Sequence, residues 1–273
     1  MNQFLNNLPT QPETPPMPVL FLGHGSPMNA IKENAFVQGF RQTALSIPIP
    51  KAILCVSAHW ETDGTKITAM EMPPTIHDFS GFPEDLYKVQ YPAPGSPALA
   101  EETSKIKHHG AIGLDYGWGL DHGAWSVIRH LYPKANIPVL QLSLDYKKNA
   151  AEHFSLAQEL IFLRKKGVLI IGSGNIVHNL SLVAWEKLDT GPFAFPWATE
   201  AIEKIKHHIT GNQLKELIQY SNLGTAGKLA IPTPEHYLPL LYTLALKQDS
   251  ENINFFNDQP VAGSIYMTSV RIG

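Results

Sequence analysis

Three apolar runs in the chain break off abruptly beside a histidine. Residues 19–22 (V-L-F-L) stop at Gly23-His24-Gly25-Ser26-Pro27. Residues 52–57 (A-I-L-C-V-S) lead into Ala58-His59-Trp60, and residues 168–171 (V-L-I-I) lead into Gly172-Ser173-Gly174-Asn175, with His178 just beyond. Short runs that are apolar without alternation predict strands buried on both faces of a parallel sheet. Ligands of such sheets sit beyond the carboxyl ends of the strands, so each run delivers a histidine to the side where chemistry happens.

The pattern between these runs predicts a helix over 34–45, built on Phe36, Val37, Phe40 and Leu45, and a shorter strand over 65–71. Ser96-Pro97 reads as an N-cap followed by proline in the first turn, opening a helix to about residue 107 with His108 and His109 at its exposed end. An edge strand over 111–116, a helix over 124–131 with His130 on its surface, and a strand over 138–144 follow. A long amphipathic helix over 148–166 carries a structural His153 and stops at Gly167. A helix over 199–220, broken near Gly211, bears solvated His207 and His208. Thr233-Pro234-Glu235-His236 reads as the first turn of a helix to about 247, and a strand over 264–272 closes the chain. Alternating strand and helix predict a single α/β domain over 18–273, with a central, largely parallel (mixed) sheet flanked by helices. Residues 1–17, polar and proline-rich, are expected to form a flexible arm. Residues 72–97 are dense in proline, glycine and aromatics, and a loop of that length in a compact domain is expected to wall or cover a site.

The net charge is -3 with only 16% charged residues, and no basic stripe occurs, which argues against nucleic acid as a partner. The apolar runs are too short to span a membrane, and residues 1–17 lack the pattern of a secretory signal. Cys55, the only cysteine, lies in an apolar run and is expected to be buried. A cytoplasmic protein is expected, as a monomer or small homo-oligomer.

Twelve histidines are the outlying number. His24, His59, His178 and His236 share a context of strand ends and tight turns, which points to one shared metal site, although their long spacing is no local metal signature. His122, in Asp121-His122-Gly123, reads as a loop general acid or base, with an ordinary cap of the next helix as the alternative. His77 belongs to the wall segment, where it could touch substrate or bond Asp78. Gly172-Ser173-Gly174-Asn175 lacks the lysine of a phosphate loop, and neither Ser26 nor Ser173 sits in a nucleophile elbow.

Several segments together resemble a known family. They are G-H-G-S-P-M at 23–28, S-A-H-W at 57–60, P-P-T-I-H-D-F-S-G-F-P at 73–83, Y-P-A-P-G-S-P at 91–97, D-H-G-A-W at 121–125, G-S-G-N-I-V-H-N-L at 172–180 and P-T-P-E-H-Y-L-P-L-L-Y at 232–242. In this order they are similar to the 4,5-DOPA extradiol dioxygenases of the class III, LigB-type ring-cleavage superfamily. Only the N-terminal arm and residues 196–230 are undiagnostic.

The resemblance implies one divalent metal per chain, held by His24, His59 and a residue of Pro234-Glu235-His236, with His178 close enough to ligate or to act as acid–base residue and His122 as a second active-site histidine. The wider superfamily uses two histidines and a glutamate. Here the resemblance favours His236 over Glu235, and an all-histidine set suits Zn²⁺ in purified protein even where Fe²⁺ supports turnover. The implied reaction inserts O₂ into a catechol such as L-DOPA and opens the ring beside a hydroxyl to a semialdehyde. His77, Phe79, Phe82, Tyr87 and Tyr91 are the expected substrate-facing residues of the wall. A zinc hydrolase, and a non-catalytic binding relative, remain as alternatives at this stage.

Overall fold

The computed structural model describes residues 14–106, 111–188 and 190–273. The domain is built on an eight-stranded mixed sheet in the order β4-β3-β5-β2-β6-β1-β10-β7. Its strands are β1 (Val19–Gly23), β2 (Ala52–Thr62), β3 (Lys66–Thr68), β4 (Gly113–Asp115), β5 (Val139–Asp145), β6 (Val168–Gly174), β7 (Ile253–Phe256) and β10 (Ser269–Ile272); β8 (Pro260–Val261) and β9 (Ile265–Tyr266) form a separate hairpin. The four central strands β5, β2, β6 and β1 are parallel, and antiparallel pairings join β3 to β5, β10 to β1 and β7 to β10.

Both faces of the sheet are covered, which explains why the central strands are apolar without alternation. Val19 and Phe21 of β1 and Val168 and Ile170 of β6 enter one core cluster. Leu20, Leu22, Leu169 and Ile171 enter the other, as the period of two requires. The helices are α1 (Ala35–Leu45), α2 (Glu84–Tyr87), α3 (Pro97–Ser104), α4 (His122–Leu131), α5 (Ala150–Glu159), α6 (Ile161–Lys165), α7 (Pro196–Thr210), α8 (Leu214–Ile218), α9 (Gly224–Ala230) and α10 (Leu238–Ala245). Asn34 caps α1 through the Val37 N–H, and Ser96 caps α3 through the Leu99 N–H. Cys55 is fully buried, and burial pushes its thiol pKa well up.

Several boundaries differ from the sequence pattern. The strand expected over 52–57 continues to Thr62, so His59 lies within β2, and its pairing with β5 shifts register between Val56 and Glu61. The helix expected over 148–166 divides at Leu160, where i→i−3 bonds (Leu160 N–H to Ala157, Leu163 N–H to Leu160) replace the α pattern. Thr233 does not cap a helix: its hydroxyl donates to Glu235, residues 235–237 form a turn, and α10 starts at Leu238. The closing strand is interrupted at Met267, and β7 had no clear signal. The pair His108-His109 and residues 1–13 lie outside the described residues. The last part of the expected arm is fastened: Met17 is 4% exposed, its N–H donates to the Arg164 carbonyl, and the buried Arg164 returns a bond from Nε to the Met17 carbonyl. His153 is buried and pairs through Nδ1 with the Tyr242 hydroxyl at 3.0 Å. Among the described residues no helix is long and apolar enough to cross a membrane.

Candidate active site

The parallel pairs β2–β6 and β6–β1 set three carboxyl ends side by side. His24 follows the last residue of β1, and its N–H bonds the Gly174 carbonyl at the end of β6. Gly23 and Gly174 permit this closeness. A Cβ on Gly23 would meet the Met267 backbone, and one on Gly174 would overlap the His236 carbonyl. Asn175 ties the layer together: its N–H donates to the His236 carbonyl, its Oδ1 accepts the Gly25 N–H, and its Nδ2 donates to the Tyr266 carbonyl.

His24, His59 and His236 form a near-equilateral triangle, with ring centroids 4.9, 5.2 and 5.0 Å apart. Three imidazoles bound through Nε2 to one ion at ~2.0–2.1 Å place their centroids roughly 4.5–5.2 Å apart and their Nε2 atoms roughly 2.9–3.4 Å apart. The His24 and His59 Nε2 atoms are 3.1 Å apart. The other ring nitrogens are committed. Ser173 Oγ donates to the Gly123 carbonyl at 2.5 Å, so it accepts from His24 Nδ1 at 3.0 Å and leaves the His24 Nε2 lone pair facing inward. Glu235 Oε1 lies 3.1 Å from His236 Nδ1 and does the same for that ring. Burial, then the neighbouring histidines, hold His24 and His59 well below the usual imidazole pKa; burial also lowers His236 against the opposing pull of Glu235. Burial pushes Glu235 up, but its bonds from His236, its own backbone and Thr233 outweigh this and bring it down to about 2. Neutral imidazoles beside an ionised carboxylate are the protonation states in which such a set accepts a divalent ion.

Two further histidines border the triangle. His122 is the first residue of α4, 6% exposed, rather than part of a loose loop; Asp121 is the N-cap. Its backbone N–H and its Nδ1 both bond Asp78, at 2.8 and 2.9 Å. Burial raises the Asp78 pKa, but the bonds from His122 outweigh it and keep this carboxyl below its usual value. His178 stacks on His236 at 3.6 Å, with the planes 10° apart, and burial followed by the charge of His236 lowers its pKa to about 3. Ligand atoms group in two sets, His24–His59–His122 and His178–Glu235–His236, each within 4.8 Å. The first set competes with the triangle, but the His59 and His122 centroids are only 3.9 Å apart, closer than two rings sharing an ion would sit.

The segment 72–97 closes one flank, as its composition suggested. The Ile76 N–H donates to the Leu120 carbonyl, the Leu120 N–H donates to the Pro74 carbonyl, and Trp125 Nε1 donates to the Ile76 carbonyl. Phe79 packs edge-on to His122 at 5.6 Å and to Phe82 at 5.4 Å, and His77 and Tyr87 adjoin Phe79. His77 bonds the Val89 carbonyl rather than Asp78. Tyr91 is 2% exposed, lies in a core cluster and gives its hydroxyl to the Tyr132 carbonyl, so it anchors the wall instead of facing the histidines.

The family profile described as the catalytic LigB subunit of aromatic ring-opening dioxygenase matches residues 15–263. The chain belongs to the LigB family of ring-opening dioxygenases. This LigB-family chain is 47% identical over 261 residues to the 4,5-DOPA dioxygenase extradiol of Escherichia coli (strain K12), covering 94% of this chain and 95% of the relative. It is 38% identical over 230 residues to the protein of the same name from Beta vulgaris, covering 81% and 83%. The crystal structure of an uncharacterized protein from Escherichia coli K12 superimposes with a TM-score of 0.81 at 41% identity, covering 94% of this chain and 100% of that one.

Sequence reasoning missed the residues that orient the imidazoles of this LigB-family site. The sequence offers Asp78 only as a partner for His77, and Ser173 only as part of a phosphate loop or as a nucleophile, neither of which its surroundings support. Asp121, fully buried, accepts from Ser57, Gln141 and the Ala124 N–H; burial, then Asp78, raises its pKa. The one usable signal was its place directly before His122 at a helix start.

Proposed function

We propose that the protein is a metal-dependent extradiol dioxygenase that opens a catechol amino acid of the L-DOPA type at its 4,5 bond. The observation that carries the reading is the His24–His59–His236 triangle beside the Asp78–His122 pair, at the carboxyl edge of a sheet walled by aromatics. His24, His59 and His236 are the proposed ligands, with Glu235 behind His236 and Ser173 behind His24. The donor set accepts Zn²⁺ or Fe²⁺, and Fe²⁺ is the proposed working ion. When bound, that ion supplies the positive charge and redox chemistry that bring a catecholate and O₂ together.

The chain's own groups do the rest. Asp78 holds the Nδ1 proton of His122, so His122 presents a basic Nε2 and takes a proton from a catechol hydroxyl. His178, parallel to His236 and therefore unable to aim at the same point, is the proposed second acid–base group; starting neutral, it takes the proton of the second catechol hydroxyl and returns it as the ring opens. Phe79 and Phe82 exclude water from the ring face, and His77 holds that wall in place through Val89. Both oxygen atoms end in the semialdehyde and one ring carbon–carbon bond breaks, so no external reductant is needed.

The test is anaerobic reconstitution with Fe²⁺, followed by L-DOPA and simpler catechols under air in an oxygen electrode. The expected result is oxygen uptake matched mole for mole by a yellow ring-opened product. Ester or amide cleavage under argon, without oxygen uptake by any catechol, would instead favour a zinc hydrolase.

A further inference from the structure

A cleft of about 370 Å³ has His59 in its wall and is otherwise lined by residues that the ring chemistry does not use. Its walls carry Trp60, Glu61, Lys66, Asp115 and Trp118. The indoles of Trp60 and Trp118 stack in parallel, with centroids 5.7 Å apart and planes 3° apart, and make a rigid apolar floor. Trp118 Nε1 is buried without a hydrogen-bond partner, and a buried indole N–H normally finds one. Asp115 receives the Gly117 and Trp118 N–H groups at 2.9 and 2.7 Å, which fixes the loop that presents the indole. Lys66 Nζ stands 3.7 Å from Asp115 Oδ2, an ion pair longer than a hydrogen bond, on a side chain that is 42% exposed. Glu61 follows His59 by two residues in the irregular end of β2, where the pairing with β5 shifts register, and both residues line the cleft. His59 belongs both to the metal-binding triangle and to the wall of this cleft, which also carries the Glu61 carboxylate, the Lys66–Asp115 ion pair and the Trp118 N–H.

We propose that this cleft is the subsite for the α-amino-acid tail of the substrate: Glu61 receives the ammonium, and Lys66 together with Trp118 Nε1 receives the carboxylate. The assignment rests on the catechol dioxygenase reading above. Opposite charges across one small cleft match a zwitterion better than either charge alone, and each partner contributes discrimination because an unpaired charge is left behind when its counterpart is missing. The ring's two hydroxyls then face the histidines while the tail, on the opposite side of the ring, points away along β2.

The test compares four catechols: L-DOPA, dopamine without the carboxylate, 3,4-dihydroxyhydrocinnamate without the ammonium, and 4-methylcatechol without a tail. Binding to the Zn²⁺-loaded protein is measured by anaerobic calorimetry, and kcat/KM by oxygen uptake with the Fe²⁺ protein. The unaltered protein is expected to bind L-DOPA at least tenfold tighter than 4-methylcatechol. Lys66→Met is expected to weaken L-DOPA and dihydroxyhydrocinnamate about tenfold and to leave dopamine and 4-methylcatechol unchanged. Glu61→Gln is expected to weaken L-DOPA and dopamine and spare the other two. Equal losses for all four catechols, or none for any, overturn the subsite. Oxygen uptake with no discrimination rejects the subsite while the dioxygenase reading stands; discrimination in binding with no oxygen uptake does the reverse.

Discussion

His122→Ala is expected to lower oxygen uptake with a catechol by a factor on the order of 10²–10⁴ while the protein keeps its metal. Asp78 holds the ring through Nδ1 and the backbone through the His122 N–H, and the ring centroid lies too close to His59 for both to share an ion. Deleting it therefore removes a base, not a ligand. The contrast is His24→Ala, which takes one donor from the triangle and is expected to lose most of the bound metal along with activity. Metal content by emission spectroscopy beside oxygen uptake separates the two. Unchanged turnover in His122→Ala rejects the acid–base role, and metal loss equal to that of His24→Ala makes it a ligand.

Gly174→Ala is the second large effect, and it acts without touching a functional group. The end of β6 and the turn that carries His236 meet backbone to backbone, with the Asn175 N–H bonded to the His236 carbonyl at 3.0 Å. A methyl group there has no space, so the turn must retreat. Overpacking of this kind costs about 1–3 kcal/mol, which lowers Tm by roughly 3–10 °C. The retreat also carries the His236 imidazole out of the triangle, so metal affinity is expected to fall at least tenfold. Thermal unfolding of the metal-free protein and a competitive metal titration check both parts. A variant with unaltered Tm and affinity would show that the two backbones do not press together as described.

The strand ends were legible because their signals are local. An apolar run cut by glycine marks a buried strand wherever it lands, and His24 and the glycines around it needed nothing more. The same holds for Ser96, whose capping is decided within three residues. What stayed hidden depends on partners far along the chain. Nothing near Asp78 indicates that it will hold His122, 44 residues away, and nothing near Ser173 indicates that it will orient His24. The Thr-Pro-Glu-His segment misled for the opposite reason. Its local pattern is that of a helix start, yet Glu235 is drawn back onto His236 and Thr233, and a turn results. β7 was missed because its residues are only partly buried at the sheet edge, where the apolar signal is weak. Tyr91 looked like a member of the substrate wall because aromatics in such a loop attract that reading; its hydroxyl is spent on Tyr132 instead.

The central claim is that three of the five clustered imidazoles, and not the other two, hold the ion. Anomalous diffraction at the metal absorption edge from crystals of the loaded protein tests it most directly. The expected result is one peak about 2.0–2.3 Å from Nε2 of His24, His59 and His236, with His122 and His178 outside bonding distance. A peak bonded to His122 or His178 in place of any of the three would contradict the account.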